Sequence, residues 1–340
     1  MRSRQRAGGR GRERRDFGVR FRAAGRTLAG APVVSAQRRL DWPAMVRNFD
    51  TAARDYEQVA GLQREVAGRL AERLDLLRIR PLRVLDLGAG TGIGARLLQK
   101  RFPRARFVQL DCSWAMLDTA RRRAPRWFSR HSFLCADAAA LPLADRSFEL
   151  VFSSLMLHWC GDLGRALREQ SRVLRGEGLL LFSACGPDTL RELRQSWAAA
   201  DDGPHVNAFP VMQEIGDALI RAGLEEPVLD TERLILRFPD VKALARMLRQ
   251  LGARNVALER RRGLAGKGRR RRMLDAYEDC RGPDGLLPAT FEIIYGHAWR
   301  PKRPAQPRPA GPAEAVVPLS ALRLRRGATD RGKGSERDDD

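Results

Sequence analysis

One glycine-rich stretch limits what this chain can fold into. It runs Val84-Leu85-Asp86-Leu87-Gly88-Ala89-Gly90-Thr91-Gly92-Ile93-Gly94 and leads into a helical pattern that ends at Arg101. A short apolar run, a glycine loop and a helix in that order predict a strand–loop–helix unit of an α/β fold. Glycines let the backbone approach a ligand closely, and the helix start offers N–H groups to an anion. The stretch therefore predicts a ligand site at this turn.

The glycine pattern alone leaves three interpretations open. The segment from Gly90 to Ala95 matches the dinucleotide pattern G-x-G-x-x-[GA], and Asp111 follows Gly90 by 21 residues, where an acid would hold a ribose. Asp86, at the strand tip, would repel a pyrophosphate but suits an ammonium group. S-adenosylmethionine carries an ammonium for this acid and a carboxylate for the loop N–H groups. A tight turn without a ligand is the third interpretation.

Acidic residues also follow the next two predicted strands. Asp111 ends the strand from Arg106 to Leu110, and Asp137 follows the strand from Ser132 to Ala136. Parallel strands end at a common edge, so we expect these carboxylates to lie near the glycine loop. The Asp111 carboxylate has acceptors for two hydroxyl groups, but it also fits a helix N-cap, and the two roles are compatible.

Two segments resemble the motifs of class I S-adenosylmethionine-dependent methyltransferases. They are V-L-D-L-G-A-G-T-G and A-D-A-A-A-L-P-L-A-D-R-S-F-E-L-V. The resemblance implies a Rossmann-like, mostly parallel seven-stranded sheet with an antiparallel C-terminal edge hairpin. It also implies helical lid insertions near 186–210 and 240–288, S-adenosylmethionine as co-substrate and no metal. The cofactor-binding residues it implies are Asp86, Gly88, Gly90, Gly92, Asp111, Met116, Asp137, Ala138 and Ser154. Met116 fits a core position equally well.

Three polar side chains are candidates for the catalytic site. Residues 43–77 have helical apolar spacing, and helices before the first strand cap the pocket in the resembled family, which brings in Tyr56. His158 lies at the predicted mouth of the pocket, and His205 lies in the first lid insertion. Two of them also have a structural interpretation, Tyr56 as a helix-packing residue and His158 as a half-buried ring bonded to backbone.

Later segments narrow the resemblance. G-P-D-T-L-R-E-L-R-Q-S-W, H-V-N-A-F, D-A-L-I-R-A-G-L and L-P-A-T-F-E-I-I-Y-G-H-A-W resemble the malonyl-[acyl-carrier protein] O-methyltransferases of biotin synthesis, over residues 38–300. This implies methylation of the free carboxylate of a malonyl thioester. That carboxylate is already an anion at neutral pH, so no strong base is required. Two alternatives remain: a complex I assembly factor that modifies protein arginine, and an RNA-binding methyltransferase.

Charge is concentrated in a few segments. The net charge is +22, and residues 1–37 hold ten Arg and two acids, whereas residues 254–272 hold nine basic residues and one acid. We expect 1–37 and 301–340 to be disordered, with a transit peptide as the alternative for 1–37. The internal basic segment, with Arg260–Arg262 and Arg269–Arg272, suits docking of an acidic carrier protein, or is a solvated lid loop. The Asn/Asp-Pro-Pro-aromatic signature of base methyltransferases is absent, so no nucleic-acid partner is expected.

Cysteine usage and hydropathy indicate the compartment. The five cysteines are widely spaced and form no C-x-x-C pair, which predicts free thiols and argues against a zinc site. No apolar run approaches the roughly 18 residues that span a bilayer. A cytoplasmic protein without a membrane partner is expected.

Overall fold

The computed structural model describes residues 39–125, 130–261, 263 and 266–302. The extension expected at 1–37 and residues 303–340 of the expected tail lie outside the described residues.

Three helices precede the sheet: α1 (Trp42–Ala52), α2 (Tyr56–Val59) and α3 (Gly61–Glu72), followed by a 3₁₀ turn at Arg73–Leu76. The Asp41 side chain accepts a hydrogen bond from the Ala44 N–H at 3.1 Å and so caps α1. The region that the spacing predicted as helical is therefore interrupted between Ala52 and Tyr56.

The first half of the sheet alternates strands and helices. Its elements are β1 (Arg83–Leu87), α4 (Ile93–Arg101), β2 (Arg106–Asp111), α5 (Trp114–Arg123), β3 (His131–Cys135), β4 (Phe148–Ser154), α6 (Leu163–Val173) and β5 (Leu174–Cys185). All pairings among these strands are parallel. The strand–loop–helix unit predicted from the glycine stretch is present as β1 and α4.

The second half adds two long strands and four helices. These are α7 (Arg191–Ala198), α8 (Met212–Arg221), β6 (Glu225–Phe238), α9 (Val241–Gln250), α10 (Lys267–Glu278) and β7 (Leu287–Trp299). The strand order is β3-β2-β1-β4-β5-β7-β6, with β7 antiparallel to both neighbours. This confirms the seven-stranded sheet and its antiparallel edge. Helix α10 begins at Lys267, so the last six residues of the basic segment 254–272 are helical rather than loop.

Side-chain alternation along the central strands fills a core on each face of the sheet. On β5, Leu179 and Leu181 pack with residues of α3, α4 and α10, whereas Leu180 and Phe182 pack with residues of α6 and α8. Both faces are thus covered, which explains why these strands read as continuous apolar runs. None of the described helices has the length and apolar character needed to cross a membrane.

Candidate functional site

A cavity of about 430 Å³ opens where the carboxyl ends of β1, β2 and β4 meet the N-terminal helices and α9. This size is within the range of small-molecule sites. Ten of the twelve predicted site residues line it: Tyr56, Gly88, Gly90, Asp111, Met116, Asp137, Ala138, Ser154, His158 and His205. Asp86 and Gly92 do not.

The glycine loop is held against the end of β2. The N–H groups of Gly88 and Ala89 donate to the carbonyl oxygen of Leu110 at 2.8 and 3.0 Å. The Asp111 carboxylate accepts from the N–H of Gly90 and from the N–H of Ser113, each at 2.9 Å. One carboxylate therefore joins the loop to the start of α5. Its burial raises its pKa, while these N–H donors oppose that shift.

Asp86 lies beneath the glycine loop and is 2% exposed. Its Oδ2 accepts from the Ala95 N–H at 2.7 Å, in the first turn of α4, where an anion is favoured by the helix dipole. Burial raises the pKa of Asp86 to about 7, and the Ala95 N–H opposes this shift. This contact gives Asp86 a place in the fold, and its role toward an ammonium group stays a prediction.

The third acid and its neighbours form another part of the wall. Asp137 accepts from the Ala139 N–H at 2.9 Å, which shapes the turn after β3. Ser154, at the end of β4, lies 3.4 Å from the Ser183 hydroxyl, oxygen to oxygen. Met116 is 1% exposed and packs with Ala52. Met116 therefore occupies a core position and lines the cavity at the same time.

Tyr56 and His158 face the cavity from different elements. Burial, followed by the charge of Asp111, raises the pKa of the Tyr56 hydroxyl, which keeps its proton. His158 is 7% exposed, and its Nδ1 accepts from the Cys185 N–H at 3.2 Å. In the neutral ring this contact assigns the proton to Nε2. The His158 ring is thus tied to backbone, as the structural interpretation predicted, while it also lines the cavity.

His205 is clamped within the first lid insertion. Its ring stacks on Trp197 with centroids 3.7 Å apart, and its Nε2 lies 2.6 Å from the Asp201 Oδ1. The hydrogen bond from His205 lowers the pKa of Asp201 to about 2. This ring is therefore held in place by the lid itself.

The two lid insertions are tied together through Asn207. Its Nδ2 donates to the Arg254 carbonyl oxygen at 3.3 Å, and its Oδ1 accepts from the Val256 N–H at 2.9 Å. The Val256 carbonyl oxygen in turn accepts from the Asp41 N–H at 2.8 Å. The lid is thereby connected to the segment that begins α1.

Several residues at the site were not predicted from the sequence. Glu57 on α2 accepts from the Thr91 hydroxyl at 2.6 Å and from Arg96 at 2.8 Å, so it holds the glycine loop from the side of the N-terminal helices. Burial would raise the pKa of Glu57, but these hydrogen bonds lower it. Arg249 and Arg254 line the cavity from the second lid insertion. No motif marks these residues, although Asn207 lies in the H-V-N-A-F segment.

The basic cluster is more engaged than its sequence suggested. Arg260 pairs with Asp41 at 2.7 Å, Arg269 lies 3.4 Å from Asp201, and Arg272 donates to the Ala200 carbonyl oxygen at 2.9 Å. Arg262 lies outside the described residues. Arg270 and Arg271 are exposed, so they are the members of Arg269–Arg272 that are best placed to meet a partner.

Two further predictions concern metals and thiols. None of the five cysteines, all of which lie in the described ranges, forms a disulfide bond. Within the described ranges, no group of His, Cys, Asp or Glu is arranged to hold a metal ion.

Known proteins resemble the chain in sequence and fold. A family model described as a methyltransferase domain matches residues 85–182. The malonyl-[acyl-carrier protein] O-methyltransferase of Laribacter hongkongensis is 48% identical over 268 residues, which cover 77% of this chain and 89% of that protein. The protein of the same name from Halorhodospira halophila is 47% identical over 261 residues, 76% of this chain and 88% of its own. The crystal structure of the YcgJ protein from Bacillus subtilis superimposes with a TM-score of 0.51 at 17% identity, covering 69% of this chain and 98% of that one. This last likeness concerns the fold.

Proposed function

The chain belongs to the malonyl-[acyl-carrier protein] O-methyltransferase family, and from this premise we propose that it methylates the free carboxylate of a malonyl group bound to an acyl-carrier protein, with S-adenosylmethionine as methyl donor. The product is the methyl ester that starts the pimeloyl chain of biotin. The relatives favour this activity over arginine modification and RNA methylation, which the sequence alone left open.

One observation carries the proposal: the glycine loop, two strand-end acids and a histidine of the lid share a single cavity. The fit of the methyl donor rests on the Gly90 backbone. There φ is +53°, and an added Cβ would meet no atom within 4 Å, so the loop borders open space. Asp111 and Asp137 are, among the described residues, the carboxylates that line this space. They would accept from the ribose hydroxyls and the adenine amino group.

The chemistry requires alignment and exclusion of water rather than a base. A carboxylate oxygen forms a bond to the methyl carbon as the bond from carbon to sulfur breaks, and the sulfur leaves as a neutral thioether. The malonyl carboxylate is already ionised at pH 7, so no proton needs to be removed. The residues of this chain would therefore act by holding two substrates in line in a closed site.

The polar side chains of the wall suit that task. Tyr56 keeps its proton and is a hydrogen-bond donor toward the cavity. The His158 ring is oriented by the Cys185 N–H, and the His205 ring by Trp197 and Asp201. We assign all three a positioning role toward the malonyl group, since none of them has to act as a base.

The carrier protein would dock beside the lid. Arg270 and Arg271 on α10 are exposed and belong to a segment with nine basic residues and one acid. Such a cluster attracts an acidic partner and orients its approach. The paired residues Arg260 and Arg269 would contribute less, because an acidic partner would have to displace Asp41 and Asp201.

Direct methyl transfer tests the proposed function. The purified chain is incubated with S-adenosylmethionine and malonyl-carrier protein, and the carrier is examined by mass spectrometry for one added methyl group. Carrier protein loaded with an acetyl group lacks the free carboxylate and is the matched control. Methylation of both carriers, or of neither, would contradict the proposal.

A further inference from the structure

The cavity has opposite charges at its two sides. The acidic residues that line it, Asp111 and Asp137, lie at the end of β2 and just after β3, whereas the basic residues that line it among the described residues are Arg249 and Arg254. We call this second pair the rim arginines. Arg249 lies in the last turn of α9, and Arg254 lies four residues beyond that helix. One side of the cavity thus suits a cationic methyl donor and the other an anion.

The rim arginines make no side-chain contact of the polar kind with the described part of the chain. Both side chains are exposed, and no described residue forms a hydrogen bond or ion pair with either guanidinium. This distinguishes them from Arg260, Arg269 and Arg272, whose side chains have partners within the chain. Exposed, unpaired guanidinium groups at the edge of a cavity are available to an incoming anion.

The backbone that carries the rim arginines is held in place. Helix α9 packs against α1 and α2, and the Arg254 carbonyl oxygen accepts from Asn207. Gly252, between the two arginines, has φ of +70°, and a Cβ added there would lie only 3.0 Å from the Asn48 carbonyl oxygen. A defined turn therefore fixes the backbone positions from which the two side chains extend.

A malonyl-carrier substrate offers anions at two depths. Its carboxylate lies at the tip of the phosphopantetheine arm and must enter the closed interior beside His158, which is 7% exposed. The phosphodiester that joins the arm to the carrier remains outside, at the mouth. Arginine forms paired hydrogen bonds to phosphate oxygens, and the exposure of both rim arginines favours the outer of these two anions.

We propose that Arg249 and Arg254 bind the phosphodiester of the phosphopantetheine arm at the mouth of the cavity. This inference rests on the proposed function and assigns the outer half of its substrate site. Apolar residues that line the cavity, among them Leu155, Leu193 and Leu248, would then contact the uncharged part of the arm.

The test compares two small substrates that differ only in the phosphate. The value of kcat/KM is measured for malonyl-phosphopantetheine and for malonyl-pantetheine, and their ratio is the phosphate preference. We expect a preference of about tenfold in the unmodified protein, or about 1.4 kcal/mol. The R249Q/R254Q variant should reduce it to about one. Arg246→Gln is the matched control, since Arg246 is exposed on the same helix but does not line the cavity.

Retention of the phosphate preference in R249Q/R254Q would overturn the proposal. Equal losses on both substrates would assign the arginines to the malonyl carboxylate, and a loss confined to the carrier protein would assign them to its acidic surface. In either case the preference survives. No methylation of any malonyl thioester by the unmodified protein would instead refute the proposed function.

A second measurement needs no variant. Pantetheine and phosphopantetheine without an acyl group are compared as inhibitors of malonyl-carrier methylation. Phosphopantetheine should inhibit at about tenfold lower concentration, again corresponding to about 1.4 kcal/mol. Equal inhibition by the two compounds would overturn the proposal even if the double variant failed to fold.

Discussion

Alanine at two glycines of the same loop should have different main effects, a loss of stability at Gly88 and a loss of ligand affinity at Gly90. At Gly88, where φ is +72°, an added Cβ would lie 2.3 Å from the Met156 Cγ and 2.5 Å from its Cβ. At Gly90, where φ is +53°, it would meet nothing within 4 Å. Both substitutions place an alanine in left-handed backbone, which costs about 1–2 kcal/mol. Only Gly88→Ala adds a clash, and the atoms it meets lie close to the backbone of Met156.

The clash sets the difference in stability. Overpacking of this kind costs about 1–3 kcal/mol, so Gly88→Ala should lower the free energy of unfolding by about 2–5 kcal/mol. Gly90→Ala should lower it by about 1–2 kcal/mol. Urea unfolding of the ligand-free protein measures both values, with the unmodified chain as reference.

The ligand affinity should show the reverse order. The Cβ of Gly90→Ala would occupy the space bordered by the loop, so binding of S-adenosylhomocysteine should weaken at least about tenfold, or about 1.4 kcal/mol. Isothermal titration calorimetry measures this constant. Wild-type affinity in Gly90→Ala would refute the assignment of the loop as the ligand cradle. A Gly88→Ala protein no less stable than Gly90→Ala would refute the packing argument.

Three further perturbations follow from the site. Asp86 has an ordinary pKa of 3.8 and a pKa of about 7 in the folded protein, so between these pH values the folded protein holds a proton that the unfolded chain releases. The free energy of unfolding should therefore fall by about 2–4 kcal/mol as pH rises from about 4 to about 7. An equal slope in the Asp86→Asn variant would contradict this. Asn207→Ala removes the hydrogen bond from the Val256 N–H, so it should raise the KM for malonyl-carrier protein several-fold and increase protease cleavage in the lid. Unchanged kinetics and unchanged cleavage would show that this hydrogen bond does not hold the lid. Charge reversal of Arg270 and Arg271 to Glu should raise the KM about tenfold for the carrier-bound substrate but not for malonyl-pantetheine, and equal effects would remove the docking surface.

The sequence was sufficient to predict the first strands and helices of the sheet, because each of them is marked by a pattern within a short segment of the chain. The helix predicted from Ile93 to Arg101 has those bounds in the structure, whereas α5 is capped by Ser113 and not by Asp111, the N-cap candidate of the sequence. Parallel strands appear as short apolar runs between turn residues, so β2 and β3 were also found to within a residue.

Contacts between segments distant in sequence explain where the structure differs from the predictions made from the sequence. Helix α10 begins at Lys267, inside the basic segment, because the arginines of its first turns contact Asp201 and Ala200 on another segment. The lining role of Arg249 depends on how α9 packs over α1, which no spacing within 241–250 reveals. Similarly, the predicted docking residue Arg260 is engaged by Asp41, more than two hundred positions away.

The sequence by itself determined the strand–loop–helix unit, the carboxylates at successive strand ends and the family, because each depends on residues that are neighbours in the chain. Only the tertiary structure decided that Asp86 lies beneath the loop, that Asn207 joins the two lid insertions, and that neither Arg249 nor Arg254 has a side-chain partner among the described residues. The physical reason is that burial and pairing are properties of the space around a side chain, and most of that space is filled by residues distant in sequence.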